Sequence, residues 1–237
     1  EYFDFIKSGC ADEESFLQEY MCVPGDDDAA FLEYDLIASC EYGKDENWQI
    51  DRPSAEVKGR LFAGLDIGRT KDLTVLWVLE ELGDVLYTRA VITLKKMSKP
   101  NQEKVLWPWF EKIFRTCFDY TGLGIGWGDD AQAKFGAHRV ELVTFTGRVK
   151  EELAYPLRGK MEDKKIRIPF DPDVRADLRA VTKETTSAGN IRFTAERSEN
   201  GHADRFWALA LAVHAASSGS GAPNVYTLQD LLRREAA

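Results

Sequence analysis

The sequence predicts an α/β fold in which a mixed sheet of five or more strands has helices on both faces. Three β-rich runs joined by short turns come first, and helical periods then alternate with shorter strands. A long alanine-rich segment, His202–Ala216, adds a strong helix near the carboxyl end. With 237 residues, 44% of them hydrophobic, the chain is long enough to bury a sizeable core.

The strands are expected at short apolar runs bounded by turn residues. These runs are Leu61–Ile67, Leu73–Leu79, Val85–Leu94, Thr116–Asp119 and Val140–Phe145. The first three follow one another through short turns, which predicts an antiparallel meander. An extended piece at Lys165–Pro169 and a hairpin over Thr185–Phe193, turning at Ser187–Asn190, complete the β-structure.

The helices are expected where apolar residues recur every three or four positions. Besides the alanine-rich segment, they are Glu13–Met21, Phe31–Cys40, Asn101–Arg115, Asp129–Phe135 and Lys150–Met161. A glycine loop is expected at Thr121–Gly128, and Arg175–Val181 fits either a helix or a strand.

Charge divides the chain into unequal parts. Residues 1–60 hold 16 acidic and 5 basic side chains, so the whole-chain charge of −9 comes from this segment. It has few apolar residues, and we therefore expect 1–57 to be an acidic connector that packs on something else. We expect residues 58–218 to form the main domain, and 219–237 to be a flexible Gly/Ser tail that ends in a short amphipathic helix.

Composition and motifs exclude several classes of protein. The longest apolar stretch, Phe206–Val213, is far too short to span a bilayer, and no signal sequence is present. The first residue is Glu1, which suggests a processed chain or a piece of a longer one. The four cysteines have no zinc spacing and are expected to be reduced and intracellular. Walker, dinucleotide-binding and nucleophile-elbow motifs are missing.

Three aspartates stand where a carboxylate is energetically costly. Asp66 interrupts an apolar strand, Asp119 ends another strand, and Asp204 lies on the small apolar face of the alanine-rich helix. Each alone is also compatible with a turn or a helix cap. Together, carboxylates from two strands and a helix packed over them can converge, and hard oxygen ligands suit Mg²⁺ or Mn²⁺. Two such ions can cleave a phosphodiester.

The ordered motifs of this chain resemble the nuclease domain of the large terminase subunit of tailed phages, Mu-like branch, over about residues 58–218. The similar stretches are Leu65–Thr74, Phe118–Gly124 and Gly201–Arg205. The resemblance implies an RNase H-like fold and an endonuclease that cuts concatemeric double-stranded viral DNA during packaging. It also implies two divalent cations held by Asp66, Asp119 and Asp204, with Asp66 bridging. Asp72 is a possible additional ligand, and His202 a possible support behind the ligands.

The same resemblance implies partners and a location. An ATPase motor, absent from this chain, would precede residues 1–57, and the portal and small terminase subunit would complete the packaging machine in the cytoplasm of the infected bacterium. DNA is expected to be held through its phosphates, without any membrane. The candidate contacts are Arg69, Lys71, Arg148, Lys150, Lys183, Arg192 and Arg197.

Two alternatives stay open from the sequence. One is another RNase H-like nuclease, such as a junction resolvase or recombinase, for which the acidic connector and tail would not be expected. The other is a catalytically silent module that only docks DNA or the portal. Relatives also often carry two adjacent acids after the histidine, whereas Ala203 replaces the first of them here. That replacement leaves Asp204 as the only acid at this position.

Overall fold

The computed structural model describes residues 30–50, 52–68, 73–122, 124–185, 191–195 and 203–218. Its strands are β1 Arg60–Asp66, β2 Thr74–Leu82, β3 Val85–Leu94, β4 Arg115–Asp119, β5 Val140–Val143, β6 Ile166–Arg167, β7 Val181–Thr185 and β8 Ile191–Ala195. Its helices are α1 Tyr34–Ala38, α2 Lys99–Phe110, α3 Gly124–Phe135, α4 Gly147–Glu162, α5 Pro172–Arg179 and α6 Asp204–Ser218. No described helix is long and apolar enough to cross a membrane.

The main sheet has six strands in the order β5-β4-β1-β2-β3-β6. The β1–β2–β3 meander is antiparallel, as predicted, whereas β4 pairs with β1, β5 with β4, and β6 with β3 in parallel. The α/β class and the mixed sheet predicted from the sequence are therefore confirmed. The sixth strand is only the two residues Ile166–Arg167, within the segment predicted as extended.

Helices cover both faces of this sheet. On one face α2 and α3 bury aromatic residues such as Trp109 and Trp127 against β1, β2 and β4. On the other face α6 lies directly across β1, β2 and β4, with α4 and α5 beside it. The side chains of β1 alternate between the two cores: Leu61, Ala63 and Leu65 enter the first core, while Phe62 enters the second.

Residues 30–42 are built into the larger of these cores. Phe31, Leu32, Ile37 and Cys40 are buried among side chains of α4, α5, α6 and the β7–β8 hairpin. Ala30 forms a β-bridge with Thr182, and the Phe31 amide donates to the Val181 carbonyl at 2.8 Å. This part of the predicted connector thus packs on the domain that follows it, whereas the predicted helix Glu13–Met21 lies outside the described residues.

The helix predicted for Asn101–Arg115 ends at Phe110, five residues earlier than expected. The Arg139 guanidinium donates to the Phe110 carbonyl at 2.6 Å and so satisfies one of the last acceptors of α2. Four residues later the Phe114 amide donates to the Leu61 carbonyl at 2.8 Å, so the chain has already turned toward the sheet. These long-range bonds end the helix although its apolar spacing continues.

The glycine loop predicted for Thr121–Gly128 is wrong in its second half, because α3 begins at Gly124. A Cβ on Gly124 would lie 1.9 Å from the Asp119 carbonyl oxygen, and one on Gly128 would lie 2.6 Å from a Leu142 methyl. These glycines therefore allow the helix backbone to approach β4 and β5 closely. The first turn of α3 consequently packs against the end of the strand that carries Asp119.

The segment left open at Arg175–Val181 is mainly helical. Pro172 lies in the first turn of α5, and the Asp171 side chain caps the helix by accepting from the Val174 amide at 2.9 Å. The chain then enters β7, which pairs with β8 as the predicted hairpin. The predicted turn, Ser187–Asn190, lies outside the described residues.

Candidate metal centre in an acidic cleft

Asp66 is the last residue of β1, on the side of the sheet that α6 covers. The same strand brings Gly64 directly under that helix: a Cβ on Gly64 would lie 2.0 Å from the Ala208 carbonyl and 2.4 Å from the Ala212 nitrogen. Only a residue without a side chain permits this approach. It brings the start of α6 to the end of β1, where Asp66 is buried with 8% exposure.

Asp204 is the first residue of α6 and is likewise buried. The preceding Ala203 has φ +60°, a left-handed conformation that costs an alanine of order 1 kcal/mol. One Asp204 oxygen, Oδ2, accepts from the Leu73 amide at 2.8 Å. Next to it, Arg205 forms a buried ion pair with Asp177 at 3.0 Å, which fixes the helix start against α5. These contacts set the orientation of the Asp204 carboxylate.

Asp119 ends β4, beside the end of the parallel strand β1. Its Oδ1 atom is buried and has no hydrogen-bond partner in the structure. Burial raises the pKa of this carboxyl to about 6, against hydrogen bonds from Thr121 and the charge of Lys150, which act to lower it. An unpartnered buried carboxylate oxygen is costly unless a cation or a proton satisfies it.

The three aspartates line one open cleft of about 660 Å³, the volume of a modest ligand site. It is bounded by the ends of β1 and β4, the first turns of α4 and α6, and strand β8. Asp66, Asp119 and Asp204, predicted from separate parts of the sequence, are thus brought together. Their hard oxygen donors, with the orphaned Asp119 Oδ1 among them, are of the kind that Mg²⁺ or Mn²⁺ prefers, although oxygens from all three side chains do not lie within 4.8 Å of one another in the described structure.

Aromatic and basic side chains line the same cleft. Phe145 and Trp207 pack at 5.3 Å between ring centroids, and Lys150 places its Nζ atom 4.7 Å from the Trp207 centroid. Arg192 on β8 completes the basic lining. Neither Phe145 nor Trp207 was predicted as a site residue, because their contact joins segments that are far apart in the sequence.

The other predicted site residues have varied positions. Arg148 is 87% exposed and pairs with Glu152 along α4, outside the cleft lining. Lys183 lies over the Tyr155 ring at 5.5 Å, on the hairpin. Five more predicted residues lie outside the described part of the chain: Arg69, Lys71, Asp72, Arg197 and His202.

A second group of ligand-type side chains lies between β4, β5 and α6. Among the described residues, Cys117, Glu141 and His214 are the trio whose ligand atoms all lie within 4.8 Å of one another. Glu141 accepts from the Cys117 thiol at 3.3 Å and contacts His214 at 3.3 Å, and it also pairs with Arg115. The Arg115 charge already neutralises the carboxylate, and burial raises the pKa of the Cys117 thiol. This trio therefore acts as a structural tie between three elements.

A mixed sheet with aspartates at two neighbouring strand ends, and a third at the start of the helix that crosses them, is the arrangement of an RNase H-like nuclease fold. The chain belongs to the terminase RNaseH-like domain family, whose pattern matches residues 63–216.

Solved structures agree on the fold. The magnesium-bound large terminase nuclease of thermophilic phage G20c is 22% identical, covering 71% of this chain and 84% of that one, with a TM-score of 0.56. The large terminase nuclease domain of Thermus phage P74-26 is 23% identical over 65% of this chain and 77% of that one, with a TM-score of 0.51. The HK97 large terminase is 15% identical, and 79% of this chain covers 43% of it, with a TM-score of 0.54. No curated protein matches the chain.

Proposed function

We propose that this chain is the endonuclease of a phage packaging terminase and cuts concatemeric double-stranded DNA with the help of divalent cations. The observation that carries the proposal is the convergence of Asp66, Asp119 and Asp204 in one cleft. Membership of the terminase RNaseH-like family supports it. So do the magnesium-, cobalt- and zinc-bound crystal forms of the G20c nuclease, which favour a cation in a cleft of this kind.

In this proposal Asp66, Asp119 and Asp204 would hold two Mg²⁺ or Mn²⁺ ions, with Asp66 contributing to both and the other two to one each, and Asp72 would be available as a further ligand. When bound, two such ions activate a water and stabilise the leaving oxygen of a phosphodiester. The chain contributes orientation: the Leu73 amide fixes Asp204, and strand β4 presents the buried Oδ1 atom of Asp119. Because Asp119 has a pKa of about 6, it is mostly ionised at pH 7 and above, ready to bind a cation.

Lys150 and Arg192 are the basic side chains placed to receive a DNA phosphate at the carboxylates, since both line the cleft. Exposed cations further out, among them Arg148 and Lys183, would contact neighbouring phosphates. Arg69, Lys71 and Arg197 remain candidates for the same role, and His202 for support behind the ligands. Such contacts are independent of base sequence and weaken as salt is raised.

We place the domain in the same machine as the sequence resemblance implies. An ATPase motor would pull DNA past this nuclease, and the portal and small terminase subunit would complete the assembly in the cytoplasm of the infected bacterium. The division into 1–57, 58–218 and 219–237 belongs to this proposal, with the tail as a docking peptide.

The test is cleavage of supercoiled plasmid by the wild type and by Asp204→Asn, with Mn²⁺ or Mg²⁺. We expect metal-dependent nicking and linearisation by the wild type and a loss of at least about a hundredfold in Asp204→Asn. Asp84→Asn is a matched control, because Asp84 is 73% exposed in the turn between β2 and β3. Equal cutting by all three proteins would refute the site. A wild type that neither cuts DNA nor binds Mn²⁺ would favour the docking module.

A further inference from the structure

Lys150 occupies an unusual position for a lysine that only contacts solvent or DNA. It lies in the first turn of α4, and its Nζ atom is 4.7 Å from the Trp207 ring centroid and 5.7 Å from that of Phe145. Cation–π attraction to two rings fixes the ammonium group inside the cleft. A lysine that only contacts the DNA backbone does not need to be held by aromatic rings, because flexible exposed side chains can make such contacts.

The charges around this ammonium group indicate the electrostatic effect of holding it at this position. Asp66 and Asp119 attract it, Arg192 on the hairpin opposes it, and burial makes the isolated charge costly. Lys150 is therefore a cation that lines the same cleft as the carboxylates and attracts Asp66 and Asp119. In the protein alone it offsets part of their mutual repulsion.

The same positive charge must repel a divalent cation that binds at these carboxylates. On the basis of the proposed function, we propose that Lys150 couples metal binding to DNA binding. Its ammonium group lowers the metal affinity of the protein alone. A DNA phosphate in the cleft removes this repulsion by pairing with the ammonium group. Lys150 is thus a positioning residue that favours a loaded metal centre when a substrate phosphate is present. Arg192 contributes in the same sense from β8 but is not held by these aromatic rings.

The expected size of this change in metal affinity follows from Coulomb's law. One positive charge across a partly hydrated cleft from a divalent ion changes its affinity roughly three- to thirtyfold. By linkage, the factor by which a bound DNA phosphate tightens metal binding equals the factor by which the bound metal tightens DNA binding.

The experiment measures Mn²⁺ binding to the whole chain by calorimetry, without DNA, for the wild type and Lys150→Met. Methionine keeps an unbranched stem on Trp207 and Phe145 and removes only the charge. We expect Lys150→Met to bind Mn²⁺ roughly three- to thirtyfold more tightly, and yet to cut plasmid at least about tenfold more slowly at saturating Mn²⁺. Unchanged or weaker Mn²⁺ binding by a folded Lys150→Met would overturn the inference.

Two further variants separate this role from other effects. Lys160→Met removes the same charge from the last turn of α4, away from the cleft lining, and should leave Mn²⁺ affinity unchanged. Lys150→Arg retains the charge and should keep the wild-type affinity, whereas affinity as tight as that of Lys150→Met would contradict the electrostatic cause. Failure of the proposed function has a different signature, since wild type and Asp119→Asn would then be alike in not binding Mn²⁺.

Discussion

Replacing Asp119 with asparagine should make the metal-free protein more stable at neutral pH while abolishing its activity. Asparagine has nearly the same shape and retains an acceptor for the Thr121 hydrogen bonds, but it carries no charge. The wild-type carboxylate is ionised in a largely buried position, and its Oδ1 atom has no hydrogen-bond partner. The charged form of this side chain therefore destabilises the folded state.

The magnitude follows from the raised pKa. The pKa of the Asp119 carboxyl rises from its ordinary value of 3.8 to about 6 in the folded state, and this difference corresponds to a destabilisation of up to about 3 kcal/mol. Because the folded pKa is the higher one, this cost is absent below pH 3.8, grows as the pH rises and is complete above about pH 6. The stability difference between Asp119→Asn and wild type should follow the same course.

Urea unfolding in EDTA at pH 4 and pH 7.5 measures this difference. We expect similar midpoints at pH 4 and a higher midpoint for Asp119→Asn at pH 7.5. Adding Mn²⁺ should reverse the order, because only the wild type gains stability from binding the ion at this position. If Asp119→Asn is less stable than the wild type at pH 7.5 in EDTA, burial does not govern this carboxylate and the reasoning is wrong.

Two further changes test the scaffold. Gly64→Ala should destabilise the protein by roughly 3 kcal/mol or more, seen as a lower thermal midpoint, because its Cβ would meet the α6 backbone at 2.0 Å; an unchanged midpoint would disprove that contact. Glu141→Gln should cost roughly 1–2 kcal/mol at pH 7, since the hydrogen bond with His214, followed by that from Arg115, lowers the Glu141 pKa to about 2. Because the folded pKa is depressed, this loss should shrink as pH falls from about 4.5 toward 2, and a loss independent of pH in urea titrations would contradict it.

Two of the three carboxylates are conspicuous in the sequence because each violates a local rule. Asp66 interrupts an apolar strand, and Asp204 shares a face with small apolar residues, so both are visible without any knowledge of the fold. The fold class was equally accessible, since strand and helix periods are local properties of the chain. The metal ions that we propose for these residues are inferred from the chemistry of the family. The place where the residues meet depends instead on how the strands of the sheet pair.

The rest of the site depends on contacts that no local pattern contains. Lys150 and Trp207 are 57 positions apart, and only the packing of α4 on α6 places an ammonium group over an indole ring. Helix α2 likewise ends where Arg139 reaches its last carbonyls, not where its apolar spacing ends. A sequence pattern records which residues prefer to be buried, but not which distant residue they meet.

The strand pairing at residue 30 has a mechanical consequence. Residues 30 and 31 bond to β7, and the partner strand β8 supplies Arg192 and Phe193 to the cleft wall. A chain shortened to begin at residue 58 would keep Asp66, Asp119 and Asp204, yet it would lose the backbone bonds along one edge of this hairpin and four buried side chains from the core beneath it. Tension applied upstream of residue 30 would therefore act first on the edge of the hairpin whose other strand lines the cleft.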